Sequence, residues 1–283
     1  MEPERRNVKG ADGARLSVCW WPGEGEQFLL VHGLASNALL WAGVAERLAA
    51  QGHAVAAVDQ RGHGRSDKPD HGYDYDTLSA DLAAVADQVG FERPVVAGQS
   101  WGGNVAISFA ARRPQRVRAV AAIDGGFIDL AGRFESFEAC VEVLAPPKLA
   151  GSRFDELERR VRTFHRGWPE SGIQGSLANF ERFEDGTAAP WLSFERHLRI
   201  LRAMYDEGPS LSYPGVEAPV LFLVADSGDV TWTANKRAGV EAAVAALGAE
   251  RARAEWLEGD HDLHAQHPER VADVLLTLAG RPA

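Results

Sequence analysis

Ser100 lies in the pentapeptide Gly98-Gln99-Ser100-Trp101-Gly102, which follows a short apolar segment and precedes a helical pattern. A serine held on a sharp strand-to-helix turn needs small neighbours, because the backbone doubles back there and a larger side chain would clash. The same turn aims the backbone N–H of Trp101, and the positive end of the helix, at the point where an oxyanion would form. The pattern therefore predicts a nucleophilic serine.

His261 is the candidate for the base that such a serine needs, since a serine hydroxyl is inert near neutral pH until its proton is removed. It follows the last predicted strand and precedes the closing helix, so we expect it at the same sheet edge as Ser100. His264 and His267 continue at three-residue intervals, a spacing that can also present a metal-binding face. No carboxylate or cysteine completes a ligand set at comparable spacing, so we expect a catalytic base and no metal.

The acid that orients the histidine has three candidates, Asp124, Asp226 and Asp229, each of which follows a predicted strand. All three satisfy the chain order nucleophile, acid, base. We favour Asp229, because the turn at Ser227-Gly228 can swing it off the strand end toward His261. Asp226 is the main alternative and Asp124 remains open, and a structural role in a turn is expected for those that are not used.

A second backbone donor is needed beside the N–H of Trp101 to stabilise an oxyanion. The loop His32-Gly33-Leu34 follows a buried strand, and Gly33 permits a tight turn that would aim the N–H of Leu34 inward. Leu34 and Trp101 are therefore the predicted oxyanion-hole donors.

The elements that position these residues show the pattern of an α/β protein. Short apolar segments alternate with helical patterns from about residue 28, which predicts a mostly parallel sheet with flanking helices. The segments on either side of Asp12-Gly13 predict an antiparallel hairpin with a tight turn at one sheet edge. Between about residues 125 and 214 the strand rhythm stops and helical patterns with Gly and Pro breaks follow. The predicted core therefore comprises residues 1–124 and 215–283, with residues 125–214 inserted as several short helices.

Composition restricts the classes of partner and compartment. The 283-residue chain has a formal net charge of −10, so it would be repelled by nucleic acid and by anionic membranes. Its first residues are charged with no apolar run behind them, and no later stretch is long enough to span a bilayer, so we expect neither a secretory signal nor an anchor. Two distant cysteines do not suggest a disulfide framework. We therefore expect a cytoplasmic protein that acts on a small molecule.

The combined motifs closely resemble those of the α/β-hydrolase superfamily, in its serine-nucleophile branch with a helical cap. The motifs that carry this resemblance are His32-Gly33, the segment from Asp59 to Ser66, Gly98 to Gly103, and Gly259-Asp260-His261 with Pro268. The resemblance implies an α/β-hydrolase sheet, an inserted helical cap at residues 125–214 that selects substrates, and no cofactor. It also implies that Asp59, Arg61 and Ser66 form a structural loop near the site and are not catalysts.

Two departures from the family pattern bear on the chemistry. Relatives that open epoxides or remove halogens have an aspartate at the nucleophile position, whereas this chain has Ser100 before Trp101. Members of the family commonly carry a proline just after the catalytic aspartate, whereas Val230 follows Asp229, which keeps Asp226 in consideration.

A serine nucleophile forms acyl-enzyme intermediates, so cleavage of an ester or a related acyl bond is the expected activity. Aromatic side chains in the predicted cap suggest a mostly apolar substrate, although such residues more often form a buried core cluster: Phe127, Phe134, Trp168, Phe180, Trp191 and Phe194. Carbon–carbon bond hydrolysis and cofactor-free haloperoxidase activity use a similar triad and remain alternatives. A non-catalytic ligand sensor on the same fold is the alternative from another class. The sequence does not indicate the oligomeric state.

Overall fold

A computed structural model describes residues 2–280, with the side chains of all of them except residues 230–232. The strands are β1 (Glu4–Lys9), β2 (Arg15–Trp21), β3 (Gln27–Val31), β4 (Ala54–Asp59), β5 (Val95–Gln99), β6 (Ala119–Ile123), β7 (Ser152–Arg153), β8 (Phe180–Arg182), β9 (Thr187–Pro190), β10 (Val220–Asp226) and β11 (Ala252–Glu258). The α-helices are α1 (Ala42–Ala50), α2 (Tyr75–Gln88), α3 (Trp101–Arg112), α4 (Phe137–Leu144), α5 (Phe154–Phe164), α6 (Glu170–Leu177), α7 (Phe194–Asp206), α8 (Val230–Leu247), α9 (Leu263–Gln266) and α10 (Pro268–Ala279).

Eight strands form one sheet in the order β1-β2-β4-β3-β5-β6-β10-β11. The pairs β1–β2 and β2–β4 are antiparallel, and all the other pairs in this sheet are parallel. Successive side chains of a strand point to opposite faces, so Leu29 and Val31 of β3 pack in one apolar cluster and Phe28 and Leu30 in the other. Helices α2, α3 and α8 cover the first face, and α1 and α10 cover the second. The predicted α/β fold, a mostly parallel sheet with flanking helices, is confirmed.

The N-terminal hairpin lies at the predicted sheet edge, but its turn is longer than expected. Gly10 N–H donates to Ala14 O at 2.7 Å, which leaves a three-residue connection. Gly13, with φ of 90°, is the residue of this connection in the left-handed region. A three-residue loop that ends in a left-handed glycine is a common alternative to the two-residue primed turn.

The segment between β6 and β10 contains helices α4 to α7, as its sequence pattern predicts. It also contains a small sheet in the order β7-β9-β8, which the sequence pattern does not predict. These strands are two to four residues long, too short to show an alternating pattern of apolar and polar residues.

The loop after β4 is held by buried polar contacts. Asp59 accepts hydrogen bonds from the backbone N–H of Ala38 (2.8 Å) and of Arg65 (3.0 Å). Ser66 donates to the backbone oxygen of Asp59 and accepts from Ser17 N–H. These contacts give Asp59 and Ser66 the structural role that the family resemblance implies.

Arg61 completes this structural loop as a fully buried cation. Its guanidinium makes two hydrogen bonds to the buried carboxylate of Asp81, at 2.7 and 2.9 Å. Two further hydrogen bonds, at 2.8 and 3.0 Å, join it to Asp12 in the hairpin connection. The planar guanidinium therefore links the hairpin, the loop after β4 and α2.

The described residues also bear on two expectations from the sequence, on membrane-spanning segments and on disulfides. No helix within residues 2–280 combines the length and the apolar character that crossing a membrane requires. Cys19 and Cys140 are both buried and unpaired.

We expect Arg61→Met to lower the free energy of unfolding by about 3–5 kcal/mol, because it leaves the Asp81 carboxylate buried without its partner. The double variant Arg61→Met/Asp81→Leu should recover much of this loss. As a control, Arg202→Met breaks an exposed pair with Asp206 and should cost less than about 1 kcal/mol. Urea unfolding measures all three, and an Arg61→Met loss as small as that of the control would contradict the structural role of Arg61.

Candidate active site

Ser100 occupies the turn between β5 and α3, as predicted. A side chain on Gly98 would overlap the backbone of Gly102, and one on Gly102 would overlap the carbonyl of His32. The close approach of these backbones is why only glycine fits on either side. Ser100 N–H donates to Ile123 O at 2.9 Å, which ties the turn to the end of β6.

Backbone strain within residues 2–280 is concentrated around this turn. The non-glycine residues with positive φ in that range are Ala35 (57°), Ser100 (53°) and Asp124 (43°). They follow β3, β5 and β6, three adjacent strands whose carboxyl ends lie at one edge of the sheet. Such conformations cost about 1–3 kcal/mol each and are found mainly at functional sites.

Asp124 is the carboxylate that contacts His261. His261 Nδ1 and Asp124 Oδ2 are 2.5 Å apart, and the carboxylate can only accept, so Nδ1 carries the proton. The other carboxylate oxygen accepts from Ala225 N–H at 3.0 Å, and Asp124 N–H donates to Leu223 O at 2.8 Å. The fully buried side chain of Asp124 is therefore fixed between β6 and β10.

The position of Asp124 contradicts the prediction that Asp229 is the acid that orients His261. Asp229 is exposed at the start of α8, where its carbonyl accepts from Thr233 N–H at 2.9 Å. Asp226 accepts from Gly228 N–H (3.1 Å) and from the Thr233 hydroxyl (3.3 Å), the turn-forming role expected of an unused candidate. The chain after β10 enters α8 directly and does not swing Asp229 toward His261. The structure therefore brings together Ser100, His261 and Asp124, the third of the sequence candidates.

Opposing influences set the pKa values of the His–Asp pair. Burial raises the pKa of Asp124, but the His261 hydrogen bond and the nearby positive charges outweigh burial and hold it below its usual value. The ring of His261 is half exposed, and the protein around it removes part of its hydration, which lowers its pKa. The hydrogen bond and the charge of Asp124 outweigh this loss and hold the pKa above its usual value. Asp124 is therefore ionised at neutral pH, and the Nδ1 hydrogen bond leaves Nε2 as the basic atom.

Ser100 and His261 line the same cavity, which has a volume of about 860 Å³. The hydrogen bonds described for residues 2–280 do not include one between their side chains. Catalytic hydrogen bonds are often long in unliganded enzymes and shorten when substrate binds. Transfer of a proton from Ser100 to His261 would require these two side chains to approach each other.

The loop after β3 is fixed by two buried histidines. Gln60 N–H donates to His32 Nε2 at 3.0 Å, and Ala35 N–H donates to His63 Nε2 at 3.2 Å. Burial lowers the pKa of both rings, so they stay neutral and can accept these bonds. No acceptor is described within residues 2–280 for the N–H groups of Leu34 and Trp101, and both residues line the cavity with Ser100. The two predicted donors therefore lie beside the serine.

The remaining cavity wall comes from the segment after β6 and from α8. Its apolar part consists of Phe127, Ile128, Leu130, Leu144, Leu201 and Met204. Its polar part consists of Asp129, Arg133, His197, Asn235 and Lys236. Lys236 has no signal in the sequence that marks it as a site residue, because its side chain reaches Asp124 only through the packing of α8.

The three histidines at the end of the chain do not assemble a metal site. His264 is fully buried, with its ring centroid 4.3 Å from that of Trp41, and burial lowers its pKa to about 3. Within residues 2–280 no group of three or more His, Cys, Asp or Glu side chains is arranged to hold a metal ion.

Comparison with known proteins agrees with the α/β fold. Residues 27–151 match the family model described as the alpha/beta hydrolase fold. This part of the chain is similar to the α/β-hydrolase superfamily. A 2-(acetamidomethylene)succinate hydrolase of Mesorhizobium japonicum is 36% identical to this chain over 102 residues, which make up 36% of each chain. The match thus spans about a third of that relative's length.

Solved structures extend the fold comparison over the whole chain. The crystal structure of E-2-(acetamidomethylene)succinate hydrolase has a TM-score of 0.78 at 22% identity, covering 99% of this chain and 100% of that one. A thioesterase domain from the curacin biosynthetic pathway has a TM-score of 0.79 at 20% identity, with 98% and 100% covered. At these identities the similarity shows the fold and not the substrate.

We expect Asp124→Asn to lower the pKa of His261, because it removes the negative charge that stabilises the protonated ring. Asp229→Asn, which changes an exposed carboxylate, should leave it near the wild-type value. The measurement is an NMR titration of the His261 ring, assigned with His261→Gln. A lower pKa of His261 in Asp229→Asn, with an unchanged pKa in Asp124→Asn, would contradict the pairing of His261 with Asp124.

We expect Ser100→Gly to be more stable than Ser100→Ala by about 1 kcal/mol, because glycine relieves the positive φ that alanine retains. Both substitutions remove the hydroxyl, so the comparison isolates the backbone. Thermal unfolding of the two variants gives the difference. Equal stability would show that the turn is not strained.

Proposed function

We propose that this protein is a serine hydrolase of the α/β-hydrolase superfamily that cleaves a carboxylic ester, or a related acyl bond, of a small and largely apolar substrate. The observation that carries the proposal is one cavity lined by a serine on a nucleophile turn and by a histidine bonded to a buried aspartate. In this proposal Ser100 is the nucleophile, His261 the general base and Asp124 the acid that orients it. Asp124 takes the role first predicted for Asp229.

Acylation begins when His261 Nε2 removes the proton of the Ser100 hydroxyl. The Ser100 oxygen attacks the carbonyl carbon, and the N–H groups of Leu34 and Trp101 stabilise the resulting oxyanion. The protonated His261 then gives its proton to the leaving-group oxygen as the bond to the carbonyl carbon breaks. Asp124 stabilises the charged imidazole throughout and remains ionised.

Deacylation repeats these steps with water as the nucleophile. His261 removes a proton from water, which attacks the acyl carbon, and the proton then returns to the Ser100 oxygen as the acid product leaves. Each step uses groups of this chain and water, so the mechanism requires neither metal nor organic cofactor.

The cavity supports a mostly apolar substrate. Much of its wall is apolar, and the charges on Lys236 and Asp124 compensate each other. The similar protein named as a 2-(acetamidomethylene)succinate hydrolase supports hydrolytic chemistry. Two buried free thiols also fit our proposal that the protein works in the reducing cytoplasm.

The proposal is tested with a fluorophosphonate probe and with p-nitrophenyl acetate and butyrate. We expect wild type to be labelled and to hydrolyse the esters, and Ser100→Ala to do neither. Asp124→Asn should lower kcat by about 10³–10⁴-fold, the size of effect seen when a triad aspartate is replaced by asparagine.

Matched variants of the rejected acids provide the control. Asp226→Asn and Asp229→Asn should keep kcat within about tenfold of wild type, since neither carboxylate is bonded to His261. A folded wild-type protein that neither labels nor turns over would overturn the proposed hydrolase activity. Binding of a ligand without turnover would then become the leading explanation of the cavity.

A further inference from the structure

Lys236 on α8 makes an ion pair with the carboxylate that orients His261. Its Nζ lies 2.6 Å from Asp124 Oδ2 and 3.1 Å from the carbonyl oxygen of Ala225. The residue is 8% exposed, yet it lines the same cavity as Ser100 and His261. A cation is therefore placed directly behind the His–Asp pair.

Lys236 and His261 bind the same oxygen of Asp124. Oδ2 receives both the lysine and the histidine, while Oδ1 receives the backbone N–H of Ala225. With both oxygens engaged, rotation of the carboxylate would break hydrogen bonds in a buried site, where unsatisfied charged groups are costly. The oxygen presented to His261 is thus fixed in position by groups from β10 and α8.

We propose that Lys236 is a positioning residue of the catalytic site, which holds the Asp124 carboxylate toward His261 and offsets part of its charge. This role rests on the proposed function of the Ser100 site. It also accounts for the position of the acid after β6. The segment after β10 does not place a carboxylate against His261, and it leads instead into α8, which supplies Lys236.

The charges that face His261 determine whether removal of the Lys236 charge raises or lowers the pKa of His261. Loss of hydration is the largest influence and lowers the pKa of His261. Asp124 on β6 and Asp262 beside the histidine raise it, and Lys236 on α8 lowers it. Removing the lysine charge should therefore raise the pKa of His261, so that the ring stays protonated, and unable to act as a base, up to higher pH.

The experiment compares Lys236→Met and Lys236→Gln, which remove the charge, with Lys236→Arg, which keeps it. Arg237→Met is the matched control, because it removes the neighbouring charge on α8, from an exposed side chain that lies over Trp256. NMR titration of the His261 ring gives its pKa without any substrate. The pH dependence of kcat/KM for p-nitrophenyl butyrate gives the same ionisation during catalysis.

We expect the pKa of His261, and with it the acidic limb of kcat/KM, to rise above the wild-type value in Lys236→Met and Lys236→Gln. The pKa of His261 and the acidic limb of kcat/KM should stay near their wild-type values in Lys236→Arg and Arg237→Met. A wild-type pKa of His261 in either folded variant that lacks the charge would overturn the inference, as would an equal rise in Arg237→Met. A shifted pKa in a protein without hydrolase activity would support the ion-pair effect and refute the proposed function instead.

Discussion

The carboxylate of Asp124 is buried at the end of β6, and the groups that stabilise it come from other elements. A backbone N–H from β10, a lysine from α8 and the histidine after β11 all bind it. A carboxylate left in this position without partners would destabilise the fold by several kcal/mol. The packing of α8 and the path of the loop after β11 are therefore coupled to the chemistry of the site.

The parallel sheet brings these groups together because parallel strands end at the same edge. Ser100 and Asp124 follow the neighbouring strands β5 and β6, and His261 follows β11, which lies beyond β10. The histidine loop therefore crosses the end of β10 to reach Asp124, and Gly259 N–H donates to Asp226 O at 3.0 Å on the way. The sheet places the ends of these strands side by side, and the hydrogen bonds of individual residues determine which side chains contact each other there.

Much of this could be predicted from sequence where the signal is local. Ser100 has glycines on both sides and a strand and a helix around it, and His261 stands between a strand and a helix, so both positions follow from short segments. The acid does not. Asp124, Asp226 and Asp229 all follow strands, and the choice among them depends on how the chain leaves β10, which tertiary packing decides.

The parts that could not be predicted share this dependence on packing. Lys236 lies in a helix whose sequence shows no catalytic pattern, and it reaches the site only because α8 packs against the end of β10. The small sheet formed by β7, β8 and β9 has strands too short for a periodic pattern. Sequence motifs thus located the proposed nucleophile and base, and the structure was needed for the groups that contact them.

A crystal structure of the protein after reaction with a fluorophosphonate would show whether Ser100, His261 and Asp124 act together. We expect phosphorus bonded to the Ser100 oxygen, a phosphonyl oxygen about 3 Å from the N–H groups of Leu34 and Trp101, and His261 still bonded to Asp124. An adduct on another residue, or a His261 bonded to Asp229, would contradict this expectation.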